Sequence, residues 1–160
     1  MGIWPLVYAA LALVDGRGQK LRAWPFVVVS FGVGAFALLP YLALRQPQPS
    51  FSGPKGLLLR LLESRGLGAV VTAGAIALAA FAFLNGNWPN FWQQWQTSRF
   101  IHVTSLDFCA LWLLFPILLR DDMAQRGLKQ AWIPIAVTAL PLVGACLYLA
   151  LRPSLEDVGE

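Results

Sequence analysis

The segment from Arg99 to Phe108 brings together the residues of this chain that are best able to do chemistry. It reads RFIHVTSLDF and places His102 and Asp107 inside an apolar stretch. An imidazole can transfer protons or ligate a metal near neutral pH, and a carboxylic acid at membrane depth can relay protons or hold a polar partner. The two side chains lie about 140° apart around a helix, so they do not form one dyad. We expect two separate roles, or one site that another helix completes.

Asp107 falls near the middle of its apolar stretch, where an acid costs roughly 2.5–3.5 kcal/mol on insertion scales. The other apolar runs contain no Lys or Arg that would pair with it. We therefore expect Asp107 to be protonated, or hydrogen-bonded to Thr104 and to a hydroxyl on a neighbouring helix such as Thr72, Thr138 or a tyrosine. A helix–helix hydrogen bond and an acid–base role both remain open.

His102 also has two readings, one as an interfacial histidine and one as a proton-transfer group or axial ligand of a chlorophyll magnesium or haem iron. The preceding stretch, 85–99, carries three tryptophans and a phenylalanine at helical spacing. That pattern is typical of an aromatic belt at the membrane surface, and the alternative is a stacking platform for a pigment. Chlorophyll and carotenoid are the cofactors we consider, and their expected contacts are His102, Trp88, Trp92 and Trp95.

The composition places these residues in a membrane. The 160 residues are 58% hydrophobic and 12% charged, with a mean hydropathy of +0.62, whereas soluble domains carry about 25% charged residues. The net charge of +4 comes from basic residues that flank apolar runs, which indicates anchoring at the interface rather than nucleic-acid binding. One histidine cannot form a zinc site, and the sequence lacks the common phosphate-loop, dinucleotide-binding and nucleophile-elbow motifs. We expect no nucleic-acid partner and no metal site.

Four apolar runs are long enough to cross the hydrocarbon core as helices. They are Trp24–Leu44, Leu67–Leu84, Phe100–Leu119 and Ala131–Leu151. A shorter run, Ile3–Val14, predicts a short N-terminal helix. The predicted fold is an all-α integral membrane domain over residues 1–160, with four full transmembrane helices.

The first and last thirds of the chain resemble each other. Each has a charged turn, a tryptophan and an apolar run that ends in YLALR, at 41–45 and at 148–152. Because an odd number of spans separates the copies, we expect an inverted repeat, an arrangement found in many transporters. The predicted parts are repeat units 1–47 and 100–153, a central helix 67–84, an interfacial segment 51–65, a Trp-rich interfacial loop 85–99 and a polar tail 154–160. In this arrangement seven Lys and Arg fall on one side of the membrane and five on the other.

Several of these strings resemble a family of uncharacterised multi-pass membrane proteins of cyanobacteria and plastids. They are SRFIHVTSLDF, RDDMAQRG and PLVGACLYLALRPSL, with DGRGQKLRAWPF and GAFALLPYLALRQP for the first half. The resemblance implies a thylakoid membrane and brings no known reaction. The second half is also similar, more loosely, to the neoxanthin-synthase-like plastid membrane family, through His102, Asp107, Asp121 and Arg126. Its members act on carotenoids, but the first half and the Trp-rich loop have no counterpart in it.

Three functions follow as expectations. The first is an accessory integral protein of a cyanobacterial thylakoid membrane that binds or helps assemble a pigment–protein complex, with photosystem subunits, pigments and the lipid bilayer as partners. The second is a carotenoid- or isoprenoid-modifying enzyme, isomerase-like, that uses Asp107 as an acid and His102 near its entrance. The third is a small transporter, which the repeat and the intramembrane acid favour. Against it, no unwound Gly/Pro pair is recognisable at corresponding positions of both halves.

Overall fold

The computed structural model describes residues 2–15, 21–46 and 56–155, and every element within these ranges is helical or a turn. The helices, in chain order, are α1 (Ile3–Asp15), α2 (Trp24–Val33), α3 (Ala35–Leu44), α4 (Leu57–Leu62), α5 (Arg65–Asn85), α6 (Trp88–Thr97), α7 (Arg99–Gln125), α8 (Trp132–Ala139) and α9 (Val143–Leu151). The predicted all-α class and the short N-terminal helix are confirmed.

Two of the described helices are long and apolar enough to cross a membrane, α5 with 21 residues and α7 with 27. At 1.5 Å per residue they extend about 31 and 40 Å, compared with a hydrocarbon thickness of about 30 Å. They correspond to the predicted central helix and the predicted span Phe100–Leu119. We call the end of the molecule where α7 begins, beside α6, the tryptophan end. The end where α7 finishes is the arginine end.

The predicted span Trp24–Leu44 is two helices folded back on each other. Gly34 separates α2 from α3 with φ 62° and ψ −132°, a conformation that only glycine adopts readily. The rings of Phe26 and Tyr41, one from each arm, lie 5.9 Å apart. The chain therefore reverses at Gly34, and each arm of ten residues reaches only about 15 Å.

The predicted span Ala131–Leu151 is broken in the same way. The N–H of Val143 donates to the carbonyl of Pro141 over 2.7 Å, and Leu142 lies between them at φ 63° and ψ −55°. These values define a γ-turn with positive φ, a rare form. Trp132 at the start of α8 and Arg152 after α9 line one groove, so both arms share the arginine end. The prediction of four full spans is not confirmed.

The two hairpins also end on neighbouring residues of α7, which corrects the inverted repeat. Arg45, directly after α3, pairs with Asp121, and Arg152, directly after α9, pairs with Asp122. Both hairpins therefore begin and end at the arginine end and point the same way. The sequence argument failed because it counted each apolar run as one straight helix, whereas each run folds back on itself.

Small residues and aromatic rings hold these elements together. Gly68 of α5 lies so close to α9 that an added Cβ would approach the Cα of Ala150 to 2.7 Å. Trp4 of α1 packs against Phe108 and Phe115 of α7, with ring centroids 5.9 Å apart in both cases. Tyr8 donates a hydrogen bond of 2.6 Å to the carbonyl of Leu111. These contacts hold α7 against α1, and α7 is the helix that carries the candidate site residues His102 and Asp107.

Candidate functional site

Asp107 holds the tip of the first hairpin. Its side chain is 8% exposed, and its Oδ1 accepts a hydrogen bond of 2.6 Å from the N–H of Ala35. Ala35 is the first residue of α3, so its N–H has no acceptor within its own helix. The start of a helix also favours a nearby negative group. The carboxyl therefore satisfies a buried backbone donor that the hairpin turn leaves free.

The hydroxyl partners expected for Asp107 are engaged elsewhere. Thr72 donates to the carbonyl of Gly68, and Thr138 donates to the carbonyl of Pro134. The expected link to another helix exists, but its donor is a main-chain amide. Sequence reasoning missed this partner because it treated 24–44 as one unbroken helix, in which the Ala35 amide would already be bonded.

Gly34 allows this contact. A Cβ added at Gly34 would overlap the carboxyl group of Asp107, and the positive φ of this residue disfavours any other side chain. Two independent requirements, the backbone conformation and the close approach, thus select glycine at the same position.

A cavity of about 390 Å³ lies beside this contact, and Asp107 and Thr104 line it. Among the described residues, Asp107 Oδ2 and the Thr104 hydroxyl have no hydrogen-bond partner. His102 is not part of the cavity lining. The structure therefore separates the two candidate residues of this helix, as their spacing predicts.

His102 faces the Trp-rich helix. Its Nδ1 lies 3.2 Å from the carbonyl oxygen of Trp95, and because a carbonyl only accepts, Nδ1 carries the proton. In the neutral form of this tautomer, the other ring nitrogen, Nε2, is the one with a lone pair. Histidines that ligate metals usually have their second nitrogen fixed in this way by a carbonyl or carboxylate.

The three candidate tryptophans divide into two groups. Trp92 and Trp95 are stacked, with centroids 5.2 Å apart and an interplanar angle of 12°, and Trp95 lies 4.4 Å from the His102 ring. Trp88 instead contacts Phe83 of α5 at 5.7 Å. The structure thus joins His102, Trp92 and Trp95 and leaves Trp88 in a separate contact. No buried residue is found in α6.

A buried ionic cluster at the arginine end is a site that sequence reasoning missed. Asp122 accepts hydrogen bonds from Arg126 at 2.8 and 3.1 Å, from Arg152 at 3.1 Å and from the Tyr148 hydroxyl at 2.6 Å. Arg126 also donates to Glu63 over 2.8 Å and to the carbonyl of Pro153. We call these five side chains, Glu63, Asp122, Arg126, Tyr148 and Arg152, the carboxylate–arginine cluster.

The carboxylate–arginine cluster is buried and balanced in charge, with two carboxylates and two guanidinium groups. The four charged side chains are between 1% and 6% exposed. Burial alone lowers the pKa of Arg126, but the charge of Asp122 and its hydrogen bonds outweigh burial and raise that pKa above its usual value. Burial lowers the pKa of Arg152, opposed by Asp122. Each charge is compensated, so the cluster holds helices together.

Two sequence signals point to this cluster. Asp122 and Arg126 are spaced i and i+4 on one helix, and both copies of YLALR end in an arginine. An arginine that recurs directly after a membrane-depth helix needs a carboxylate nearby, and Asp121 and Asp122 are the adjacent pair that supplies one for each copy. Within the part of the chain that the structure describes, no group of three or more His, Cys, Asp or Glu could hold a metal ion.

Comparison with known proteins gives one match. Residues 66–154, from the start of α5 to just beyond α9, match the family model described as "Protein of unknown function DUF2834". This match covers more than half of the chain, and the chain belongs to that family. Neither the curated proteins nor the solved structures include a significant match.

Proposed function

We propose that this member of the DUF2834 family is an integral membrane protein that crosses the bilayer twice, through α5 and α7, and carries two hairpins that enter the membrane from the arginine end. The length and apolar character of α5 and α7 support the two crossings. The hairpin tips support membrane burial of the rest, because the turn at Gly34 is accompanied by a carboxyl that satisfies its free amide.

The charge distribution supports an orientation. Of the nine Lys and Arg among the described residues, eight lie at the arginine end and one, Arg99, begins α7 at the tryptophan end. Membrane proteins keep such an excess of basic residues on the cytoplasmic side, so we place the arginine end in the cytoplasm. The eight residues are Arg22, Arg45, Arg60, Arg65, Arg120, Arg126, Lys129 and Arg152.

Cysteine labelling tests this orientation. In a background without Cys109 and Cys146, a membrane-impermeant maleimide added to sealed photosynthetic-membrane vesicles with the cytoplasmic face outward should label Lys129→Cys and should not label Gln93→Cys in α6. After the vesicles are opened with detergent, both variants should react. Labelling of Gln93→Cys alone in sealed vesicles would reverse the orientation, and labelling of both would contradict the two-span arrangement.

As the function, we propose an accessory protein of the photosynthetic membrane that binds a pigment and helps to assemble a pigment–protein complex. The geometry of His102 carries this proposal. Its Nδ1 is held by the Trp95 carbonyl, so Nε2 is the atom that would hold a chlorophyll magnesium or a haem iron. The stacked Trp92 and Trp95 rings lie beside it. A bound tetrapyrrole would supply light absorption or electron transfer, while the chain positions it.

The exposed surface near the tryptophan end supports an assembly role. Phe81, Phe83 and Leu84 of α5 are 66%, 74% and 83% exposed, and every residue of the segment 80–94 is exposed. Large apolar surfaces of this kind are common where membrane subunits meet each other as well as lipid. We assign the partner subunits to this surface.

Native purification in mild detergent followed by an absorbance spectrum tests the function. The wild-type protein should copurify with a tetrapyrrole and with photosystem subunits. His102→Leu should lose the tetrapyrrole bands and keep its elution volume, whereas Trp88→Phe, which changes the separate aromatic group, should keep them. A pigment-free wild-type protein without photosystem subunits would contradict the proposal.

A small transporter is the second candidate, because both hairpins are interrupted at corresponding positions, Gly34 and Pro141–Leu142. The sequence alone shows no recognisable pair of breaks, which is an argument against transport. The breaks at Gly34 and Leu142 remove that argument, because paired broken helices near the membrane centre are typical of secondary transporters. Proteoliposomes in which Asp107→Asn leaves substrate and proton flux unchanged would contradict it. Because Asp107 and His102 have separate partners, neither contact favours the carotenoid-modifying enzyme.

A further inference from the structure

The cavity beside Asp107 is bordered by apolar side chains on the outer surface of the protein. Its lining includes Phe31, Phe36 and Phe100, which are 53%, 63% and 76% exposed. In α7 the cavity extends from Phe100 to Leu111, about 2 to 18 Å along the helix from Arg99. In the membrane arrangement proposed above, on which this inference rests, a molecule dissolved in the bilayer can reach the cavity from the side.

Two polar side chains line the cavity and have hydrogen-bonding capacity to spare. Oδ1 of Asp107 accepts from the Ala35 amide, whereas Oδ2, which lies beside Gly34, and the Thr104 hydroxyl have no hydrogen bond to another described residue. Asp107 and Thr104 are both in the lining, and i and i+3 residues lie on the same helix face. An unmatched acceptor in an apolar site is unfavourable, so a ligand that donates a hydrogen bond gains affinity there.

The size and walls of the cavity restrict the ligand. A volume of about 390 Å³ lies at the small end of the range for organic ligands, roughly 300–1,000 Å³. The aromatic and aliphatic walls suit one flat ring more than a bare cation, which needs several oxygen ligands. We propose that this cavity binds a lipid-soluble ring that carries hydroxyl groups, with one hydroxyl donating to Asp107 Oδ2 and a second polar group reaching Thr104.

A pair of matched probes tests the site on the purified full chain in detergent or nanodiscs. Calorimetry should detect saturable binding of decylhydroquinone, whose ring hydroxyls donate. Its dimethyl ether has the same ring and tail but no donor, and it should bind about tenfold more weakly, the difference expected for one hydrogen bond.

Two substitutions connect the binding to the named atoms. Asp107→Asn can still accept the Ala35 amide through its carbonyl oxygen, so the hairpin is kept, but it presents an NH₂ donor to the cavity. It should weaken hydroquinone binding about tenfold and improve binding of the oxidised decylquinone, whose ring oxygens only accept. Thr104→Val should weaken the hydroquinone less. Ser105→Ala is the control, since that hydroxyl donates to the carbonyl of Ile101 and lies outside the lining.

Equal binding of hydroquinone and its dimethyl ether would show partition into the apolar cavity and overturn the proposal. A wild-type preference for the quinone would overturn it as well, because Asp107 would then be a donor. The site is independent of His102, so His102→Leu should bind decylhydroquinone normally. Loss of tetrapyrrole with retained hydroquinone binding, or the reverse, would separate this proposal from the proposed function.

Discussion

The two hairpins are built from similar sequences but are held against α7 by different groups. Both end in YLALR, and the final arginines, Arg45 and Arg152, bind the adjacent carboxylates Asp121 and Asp122 of α7. Arg45 pairs with Asp121, whose side chain is 21% exposed, and donates to the carbonyl of Ile117. Arg152 instead joins the buried carboxylate–arginine cluster, in which Asp122 is 3% exposed. The motif therefore ends in a buried arginine in both hairpins, but the carboxylate that pairs with it is partly exposed in the first and buried in the second.

The hairpin tips differ as well. The first tip contains Gly34 and is bound by the Asp107 side chain. The second is a γ-turn at Leu142, and near it the Trp112 indole donates to the carbonyl of Thr138 over 2.9 Å. In both hairpins α7 supplies the polar group that satisfies the backbone near the turn. The second hairpin is thus fixed most strongly at its base, whereas the first is held at both its base and its tip.

The largest expected effect comes from removing the arginine at each base. Arg152→Gln leaves Asp122 with one guanidinium partner in a buried site, and breaking a buried ionic group costs roughly 3–5 kcal/mol. Arg45→Gln removes the ion pair with Asp121, a carboxylate that is partly exposed to water, and should cost less, about 1–2 kcal/mol. Denaturant unfolding in detergent micelles, followed by circular dichroism, measures both. Equal losses of stability would show that the two bases are equivalent.

The main helices and the repeated motif of the hairpins could be predicted from the sequence, whereas the chain reversals and the contacts that they create depend on tertiary geometry. The repeated YLALR, the helices α5 and α7 and the isolation of Asp107 follow from periodicity and charge placement. The breaks at Gly34 and Leu142 do not, because glycine and proline are common within membrane helices without reversing them. Once the breaks were missed, the orientation of the repeat, the partner of Asp107 and the cluster around Asp122 could not be derived.

The next effect concerns the two glycines at close approaches, one in each hairpin. Gly34→Ala forces a side chain into a positive φ and into the Asp107 carboxyl, which should cost at least about 2 kcal/mol. Gly144→Ala places a Cβ against the carbonyl of Val137 without a positive φ, so it should cost less. Gly32→Ala is the control, because nothing lies within 4 Å of its added Cβ.

The same unfolding titration ranks these variants, and Gly32→Ala should be neutral or slightly stabilising since alanine favours the helix. A Gly34→Ala protein as stable as Gly32→Ala would contradict the tip geometry. In that case 24–44 would be better described as one kinked helix, and the first hairpin would lose its likeness to the second.

The smallest expected effect separates the two tips. Asp107→Ala removes the acceptor at the start of α3 and should cost about 1–2 kcal/mol, as for the loss of an N-terminal cap. Trp112→Phe keeps most of the ring and removes only the N–H that reaches Thr138, so about 1 kcal/mol is expected. If the first hairpin depends on its tip more than the second, hydrogen exchange in micelles should rise over α3 in Asp107→Ala but only weakly over α8 in Trp112→Phe. An equal rise would mean that the two tips contribute alike, and the bases alone would then distinguish the hairpins.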